Sequence, residues 1–189
     1  MRALFLSPHN DDEVLFGTFT LLRYRPHVVI CLRSERMGDP SYPGNMPVDA
    51  KTREFETEIA LKTLAIDGWT QWPITDNAPD PEQLEAFMIG LRDPSGADDW
   101  DIVFAPWYED PDGHPDHNLV GRTAASVFAD VPITWYLTYT RNGRSTGTEV
   151  EYELEWIALK HHALACYKSQ SAHPATYTHF MGDLREYTA

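Results

Sequence analysis

Short apolar runs alternate with segments of helical periodicity along this chain, and that alternation limits its fold more than any other feature. Ala3–Leu6 and His27–Leu32 are apolar runs, and each predicts a short buried strand. Val14–Arg25 lies between them with apolar residues at a helical spacing, so the three segments predict a βαβ unit. Similar patterns predict further strands at Thr70–Ile74, Asp101–Ala105, Ile133–Thr140 and Val150–Leu154, and further helices at Ala50–Ala65, Pro81–Leu91, His114–Ala129 and Trp156–Tyr167.

Strands that alternate with helices predict an α/β fold, in which a mostly parallel sheet carries helices on both faces. The chain has 189 residues and contains no repeat, no low-complexity tract and no linker that would separate two domains. We therefore expect a single domain over residues 1–189. In such sheets ligands bind at the carboxyl ends of the strands, so a functional site is expected there.

Particular residues support two of the predicted helices. Asp80 and Pro81 stand where an N-cap and a first helical residue are expected for the helix over 81–91. In the helix over 50–65, Phe55, Ile59 and Ile66 step round one side, which predicts a helix with one apolar face.

The charge balance argues against two classes of partner. The chain has 15 Lys and Arg against 29 Asp and Glu, a net charge of −14, and no basic cluster. Binding to a nucleic-acid backbone or to an anionic membrane surface needs such a cluster, so we expect neither. No apolar run approaches the length of a membrane helix or forms a signal peptide, so we expect a cytoplasmic protein. Cys31 and Cys166 are then expected to be free thiols.

Two loops after predicted strands are rich in residues that bind metals. Ser7–Glu13 follows the first strand, and Asp110–His117 follows the strand over 101–105. Because parallel strands end at the same edge of a sheet, these two loops are expected to face each other.

Each loop offers a pair of ligand-type side chains three residues apart. His9 and Asp12 form one pair, and His114 and His117 form the other. Two imidazoles and a carboxylate make the three-ligand set of a catalytic zinc, with a fourth position open for water. The carboxylates of Asp11 and Glu13 remain, and either one could act as base for that water. Acidic residues at a helix start also complement the helix dipole, so the first loop alone is weak evidence for a metal site. The two loops together indicate such a site.

Other catalytic classes have little support in the sequence. There is no Gly-x-Ser-x-Gly elbow, no Gly-x-Gly-x-x-Gly and no Gly-x-x-x-x-Gly-Lys loop, and neither cysteine has a polar, activating context. A metal-dependent hydrolase is the class that remains. The other histidines are expected in structural or exposed positions: His27, His161, His162, His173 and His179.

The same motifs resemble those of the LmbE-like, or PIG-L-like, N-acetylglucosaminyl deacetylases. Pro8–Glu13 is similar to that family's Pro-His-Pro-Asp-Asp-Glu motif, and His114–His117 to its His-Pro-Asp-His motif. Thr52–Ala60 and Lys160–Gln170 resemble two further family segments. The resemblance implies a Rossmann-like fold and zinc-dependent removal of an acetyl group from an N-acetylated amino sugar of the N-acetylglucosamine type.

Residue roles follow from the resemblance by motif position. It implies one zinc ion per chain, held by His9, Asp12 and His117, with Asp11 as general base. It also implies that a protonated His114 stabilises the oxyanion and assists departure of the amine, and that Asp116 tunes His114. Glu13 is expected to brace the loop through backbone N–H groups, and Arg53 resembles the family arginine that reaches towards the substrate.

Several alternatives stay open at this point. Asn10 stands where the family usually has proline, and the chain is short for the family, so another subunit of a homo-oligomer or the loop over 33–48 would complete the pocket. Trp107 and Tyr108 are expected either to stack on a sugar ring or to lie in the core. A His/His/Asp site also accepts iron, cobalt or manganese. The alternative functions are hydrolysis of another amide or ester on the same scaffold, and a catalytically silent metal-binding module.

Overall fold

The computed structural model describes residues 1–34, 48–76, 78–93, 95, 99–109, 113–138, 147–171 and 184–189. Most of the loop over 33–48, the start of the second motif loop (110–112), His173 and His179 lie outside these residues. The described elements are β1 (Ala3–Ser7), α1 (Asp12–Tyr24), β2 (His27–Ile30), α2 (Ala50–Thr63), β3 (Trp69–Gln71), α3 (Pro81–Ile89), β4 (Ile102–Pro106), α4 (Pro115–Val127), β5 (Ile133–Tyr136), β6 (Thr148–Glu149), α5 (Leu154–Leu164), α6 (Lys168–Ser171) and β7 (Tyr187–Thr188).

The strands form one sheet in the order β3-β2-β1-β4-β5-β7-β6. The five strands from β3 to β5 are parallel, whereas β7 is antiparallel to both β5 and β6. β1 pairs directly with β4, with Phe5 opposite Phe104. The chain runs from β1 outwards to β2 and β3, then returns to place β4 on the other side of β1. The order therefore reverses between β1 and β4, which confirms the predicted α/β class and places the usual ligand position of such sheets at the carboxyl ends of these two strands.

Helices cover both faces of the sheet because the strand residues point alternately to each side. Phe5, Val28 and Phe104 belong to the core cluster that includes buried residues of α1, α2 and α5. Leu4 and Val29 belong to the second cluster, which includes buried residues of α3 and α4. None of the helices in the described residues has the length and apolarity needed to cross a membrane.

The apolar face predicted for α2 is wrong. Phe55 is 60% exposed and Ile59 is 38% exposed. The inward face of α2 instead carries a largely polar set: Arg53, Glu56, Thr57, Ala60 and Leu61. Polar side chains can be buried there because neighbouring segments satisfy them, as the Glu56 carboxylate accepts bonds from Ser169 N (2.7 Å) and Oγ (2.6 Å).

Differences elsewhere concern short elements. The prediction of a strand over 150–154 is wrong, because β6 ends at Glu149 and α5 begins at Leu154. The two-residue strand β7 is too short to give a periodic signal, and it was not predicted. The start of α3 is confirmed, since the Asp80 carboxylate accepts a bond from Glu82 N at 3.0 Å with Pro81 at the first helical position. Cys31 and Cys166 are free, and Cys31 is buried.

A buried ion pair joins the C-terminal segment to α5 and α1. Lys160 Nζ donates to Glu186 Oε1 at 2.8 Å and to the carbonyl oxygen of Leu15 at 2.7 Å. The Glu186 carboxylate also accepts a bond from the backbone N–H of Phe19 at 3.0 Å. Both charged side chains are almost fully shielded from solvent, at 1% and 0% exposure. The buried charge of each side chain is therefore compensated by the opposite charge of the other.

We expect Glu186→Gln to lower the free energy of unfolding by about 3–5 kcal/mol, because it leaves the Lys160 ammonium buried without its counter-charge. Urea unfolding measures this. The matched control is Glu58→Gln, which breaks the exposed Lys62–Glu58 pair at 2.6 Å and should cost less than about 0.5 kcal/mol. Equal losses in the two variants would contradict the assignment.

Candidate metal centre

Two loops at the carboxyl ends of β1 and β4 supply the candidate site, and each leads into a helix. Asp11 is the N-cap of α1, and its carbonyl oxygen accepts bonds from Val14 N (3.0 Å) and Leu15 N (2.8 Å). His114 is the N-cap of α4 and accepts a bond from Asp116 N through Nδ1 at 3.2 Å. Both motifs therefore lie at helix N-termini that meet at the point where the strand order reverses.

Three donor atoms from these loops form a nearly equilateral triangle. His9 Nδ1 lies 3.1 Å from Asp12 Oδ2. His117 Nε2 lies 3.2 Å from His9 Nδ1. The third side, from His117 Nε2 to Asp12 Oδ2, is 3.0 Å. The structure thus brings together the three residues predicted as metal ligands, with their donor atoms turned towards one another.

These separations fit a small divalent ion. Ligands bound to zinc at 2.0–2.1 Å with tetrahedral angles lie about 3.3 Å apart. His114 is close by, since one ligand atom from each of His9, His114 and His117 lies within 4.8 Å of the others. The donor set, two imidazoles and a carboxylate, is one that zinc and related divalent metals accept.

The electrostatics at the triangle favour a positive charge. Burial disfavours a charged imidazole, but hydrogen bonds to the Asp116 and Asp12 carboxylates raise the pKa of His9 to about 10. Burial would also raise the pKa of Asp12, yet the neighbouring His117 and His9 hold it below its usual range. Asp12 is therefore ionised at neutral pH, as a carboxylate ligand must be.

Asp116, which was predicted to tune His114, lies closer to His9 than to His114. Its Oδ2 lies 3.0 Å from His9 Nε2 but 3.9 Å from His114 Nδ1. The sequence spacing suggested that Asp116 acts on His114, because these two residues share one helical turn. The shorter contact, from Asp116 to His9, instead crosses between the two motif loops. A carboxylate on the second nitrogen of a ligand histidine fixes its ring and tautomer, so Asp116 orients His9.

His114, which was predicted to act as a protonated partner, lies at the exposed edge of the cluster. Its side chain is 42% exposed. Burial of the remainder, together with the neighbouring His9 and His117, lowers the pKa of His114 below its ordinary value. Its Nδ1 accepts the Asp116 N–H, which requires an unprotonated nitrogen at that position. A neutral His114 then carries its proton on Nε2.

Asp11 is a buried carboxylate held by a buried arginine. Arg53 Nη2 donates to Asp11 Oδ2 at 2.8 Å and also to the carbonyl oxygen of Asn10. Burial raises the pKa of Asp11 to about 6, although Arg53 opposes the shift. Arg53 is only 4% exposed and is engaged with this loop. Arg53 also lies 3.8 Å from the Glu56 carboxylate, and its contact with substrate stays a prediction.

Glu13 braces the loop, as predicted. Its Oε2 accepts the backbone N–H of Asp11 at 2.9 Å, and its other oxygen accepts the hydroxyl of Tyr167. Burial raises the pKa of Glu13 to about 7. Sequence reasoning did not single out Thr57 or Tyr167, although both lie in the segments that resemble the family, Thr52–Ala60 and Lys160–Gln170. Thr57 belongs to α2 and Tyr167 lies between α5 and α6, and no spacing within either segment indicates a contact with Glu13.

The side chain of Asn10 points away from the donor triangle towards α2 and β3. Its Nδ2 donates to Thr57 Oγ1 at 2.9 Å and to Gln71 Oε1 at 3.0 Å. These bonds anchor the loop at Asn10, the position at which the family motif usually has proline.

Aromatic side chains follow β4 on the way to the second motif. Trp107 and Tyr108 pack against each other and against Trp135, with ring centroids 5.1–6.1 Å apart. All three are half-buried. Stacking of Trp107 or Tyr108 on a sugar ring stays a prediction.

Comparison with known proteins identifies one sequence family that matches the chain and several solved structures with a similar fold. The sequence model of the PIG-L family, GlcNAc-PI de-N-acetylase, matches residues 4–128. Among curated proteins, no sequence matches this chain.

Three solved structures illustrate the shared fold. A triple mutant of a deacetylase in the teicoplanin biosynthetic pathway has a TM-score of 0.71 and 18% identity, over 91% of this chain and 84% of that one. The N,N'-diacetylchitobiose deacetylase of Pyrococcus horikoshii has a TM-score of 0.68 and 22% identity, over 89% of this chain and 70% of that one. A 4-carboxy-2-hydroxymuconate hydratase of Pseudomonas putida KT2440 has a TM-score of 0.63 and 16% identity, over 96% and 84%. The fold is therefore shared by proteins of different chemistry.

We expect the protein to bind one zinc ion, measured by isothermal titration after dialysis against a chelator. Asp116→Asn should weaken binding about 10- to 100-fold because it frees the His9 ring, and His117→Ala should weaken it further because it removes a donor. The matched control is His162→Ala on the exposed side of α5, which should leave the affinity unchanged. Unaltered affinity in His117→Ala would contradict the assignment of the triangle.

Proposed function

The chain belongs to the PIG-L family of GlcNAc-PI de-N-acetylases, and from that premise we propose that it is a zinc-dependent hydrolase that removes the acetyl group of an N-acetylated amino sugar. One observation carries the proposal. The triangle of His9 Nδ1, Asp12 Oδ2 and His117 Nε2, with sides of 3.0–3.2 Å, lies beside a carboxylate with a raised pKa, that of Asp11. A metal-binding triad and a neighbouring base are the two parts that hydrolysis of an amide by activated water requires.

His9, Asp12 and His117 would hold one ion per chain. When bound, a divalent ion supplies Lewis acidity, which polarises the acetyl carbonyl and lowers the pKa of the attacking water. Zinc is the proposed metal, because it accepts this donor set at these separations. In the reaction the carbon–oxygen bond to water forms and the carbon–nitrogen bond breaks. The proton that Asp11 takes from the water passes to the departing nitrogen, so that the products are acetate and an amine.

Asp11 is the proposed general base. Its raised pKa, about 6, keeps it mainly ionised at neutral pH and close enough to that pH to accept a proton from water. The bond from Arg53 fixes the direction of the carboxylate. We assign Arg53 to this positioning role, since its guanidinium is buried against Asp11.

His114 is proposed to stabilise the oxyanion that develops on the acetyl group. It lies on the solvent side of the triangle, 42% exposed, where a substrate can reach it. With Nδ1 accepting from the Asp116 backbone, Nε2 carries the proton and can donate it in a hydrogen bond. His114 would act from the neutral state, and Asp116 would act on His9.

The amino-sugar substrate is supported by the family and by the chitobiose deacetylase among the structural neighbours. The alternative on the same site is hydrolysis of another amide or an ester, because the metal triad and the base would serve any acetylated group of the right size. Amine release and acetate release, measured together, separate N-deacetylation from ester hydrolysis.

We expect the zinc-loaded protein to release one amine and one acetate per turnover from at least one member of a panel made of N-acetylglucosamine, N,N'-diacetylchitobiose and glycosides of N-acetylglucosamine. Asp11→Asn should lower kcat about 10²- to 10⁴-fold, because it removes the base, while the bound zinc remains.

The matched control is Asp80→Asn at the start of α3, where asparagine caps a helix as well as aspartate does, and it should leave kcat unchanged. Acetate release from acetate esters without amine release from any panel member would contradict the amino-sugar assignment. A zinc-loaded protein that releases neither product would contradict the hydrolase assignment as a whole.

A further inference from the structure

A chain of buried hydrogen bonds runs from Asn10 to the backbone of Asp11 through Thr57 of α2 and Tyr167, which lies between α5 and α6. Asn10 Nδ2 donates to Thr57 Oγ1 at 2.9 Å, and Thr57 Oγ1 lies 3.2 Å from Tyr167 Oη. The Tyr167 hydroxyl donates to Glu13 Oε1, and Glu13 Oε2 accepts the backbone N–H of Asp11 at 2.9 Å. Asn10, Thr57, Glu13 and Tyr167 are all buried, so solvent does not compete for these bonds.

The Tyr167 hydroxyl lies between two acceptors. It donates to the Glu13 carboxylate, and Thr57 Oγ1 lies within hydrogen-bond distance of the same hydroxyl. Thr57 Oγ1 in turn accepts a bond from the side-chain amide of Asn10. The hydroxyl of Tyr167 therefore joins Glu13 to α2.

Asp11 needs this support because its backbone is strained. It has φ 114° and is one of three described non-glycine residues with positive φ. Such a conformation persists only where the surroundings determine it from several sides. The N–H is held by Glu13, the carbonyl oxygen by Val14 and Leu15, and the carboxylate by Arg53.

We propose that Tyr167 is a positioning residue for Asp11 and acts through Glu13. The inference rests on the proposed function only in taking Asp11 as the base. Tyr167 fixes the Glu13 carboxylate, Glu13 fixes the N–H of Asp11, and the N–H direction sets where the Asp11 side chain leaves the backbone. Without the hydroxyl, Glu13 Oε1 loses the donor that Tyr167 supplies, so the carboxylate can rotate and the strained φ of Asp11 can relax.

The protein contains a matched tyrosine outside this chain. Tyr136 is 2% exposed, and its hydroxyl donates to the carbonyl oxygen of Leu6 at 2.8 Å. Tyr136→Phe thus removes a buried hydroxyl of the same kind, with a similar expected cost in stability. Tyr167→Phe keeps the ring that lies 5.7 Å from the Arg53 guanidinium, so only the hydroxyl is lost.

The test is a pair of crystal structures of Tyr167→Phe and Tyr136→Phe, with kinetics on whichever panel sugar the wild-type protein hydrolyses. We expect the Asp11 carboxylate to be displaced in Tyr167→Phe and unmoved in Tyr136→Phe. kcat of Tyr167→Phe should fall about 10- to 100-fold, the scale of a misplaced catalytic group. Its KM should stay within roughly twofold, because a base acts in the transition state and not in binding.

A second pair covers the case in which Tyr167→Phe fails to fold. Thr57→Val removes the middle hydroxyl at nearly constant volume, and Thr57→Ser keeps it. We expect Thr57→Val to displace Asp11 and lower kcat, and Thr57→Ser to restore both. An Asp11 carboxylate in its wild-type place in Tyr167→Phe or Thr57→Val, or equal effects of the Tyr167 and Tyr136 substitutions, would overturn the proposal. If no sugar is hydrolysed, the proposed function fails but the displacement of Asp11 still decides this inference.

Discussion

The adjacency of β1 and β4 is the constraint on which the rest of the structure depends. The two strands pair directly, although more than ninety residues separate them in the chain, between Phe5 and Phe104 for example. The connections leave the two strands in opposite directions, so the strand order reverses between them, which is where ligands bind in sheets of this kind. The loops after these strands carry His9, Asp12 and His117, so the topology alone brings two sequence motifs to one point.

Helix N-termini and buried counter-charges then set the chemistry of that point. α1 begins at Asp12 and α4 at Pro115, so both helices direct their positive ends towards the buried carboxylates. Arg53 offsets the charge of Asp11, and the two histidines offset that of Asp12. The pKa values of these two neighbouring carboxyl groups differ because burial outweighs Arg53 at Asp11, whereas His117 and His9 outweigh burial at Asp12. The pKa of Asp12 is lowered whereas that of Asp11 is raised to about 6, a separation that suits one as a ligand and the other as a base.

The parts that could be predicted from the sequence are those with a local signal. The strand over 3–6 and the helix start at Asp80 depend on neighbouring residues, and their types and positions agree with the structure. The meeting of His9 with His117 followed from one topological rule. Contacts that cross between elements could not be predicted: the bond from Asp116 to His9 has no signal in the sequence spacing, and the polar inner face of α2 was taken for its outer face. Tyr167 lies beyond any spacing rule, because its partner Glu13 is 154 residues away.

The most direct test of the central claim is the anomalous scattering of a crystal grown with zinc, measured on either side of the zinc absorption edge. The triangle predicts one strong peak bonded to His9 Nδ1, Asp12 Oδ2 and His117 Nε2, at the 2.0–2.2 Å usual for zinc with nitrogen and oxygen ligands. Asp116 should remain bonded to His9 Nε2 in that structure. A crystal with no peak at the triangle, or with zinc bound only elsewhere on the chain, would contradict the account.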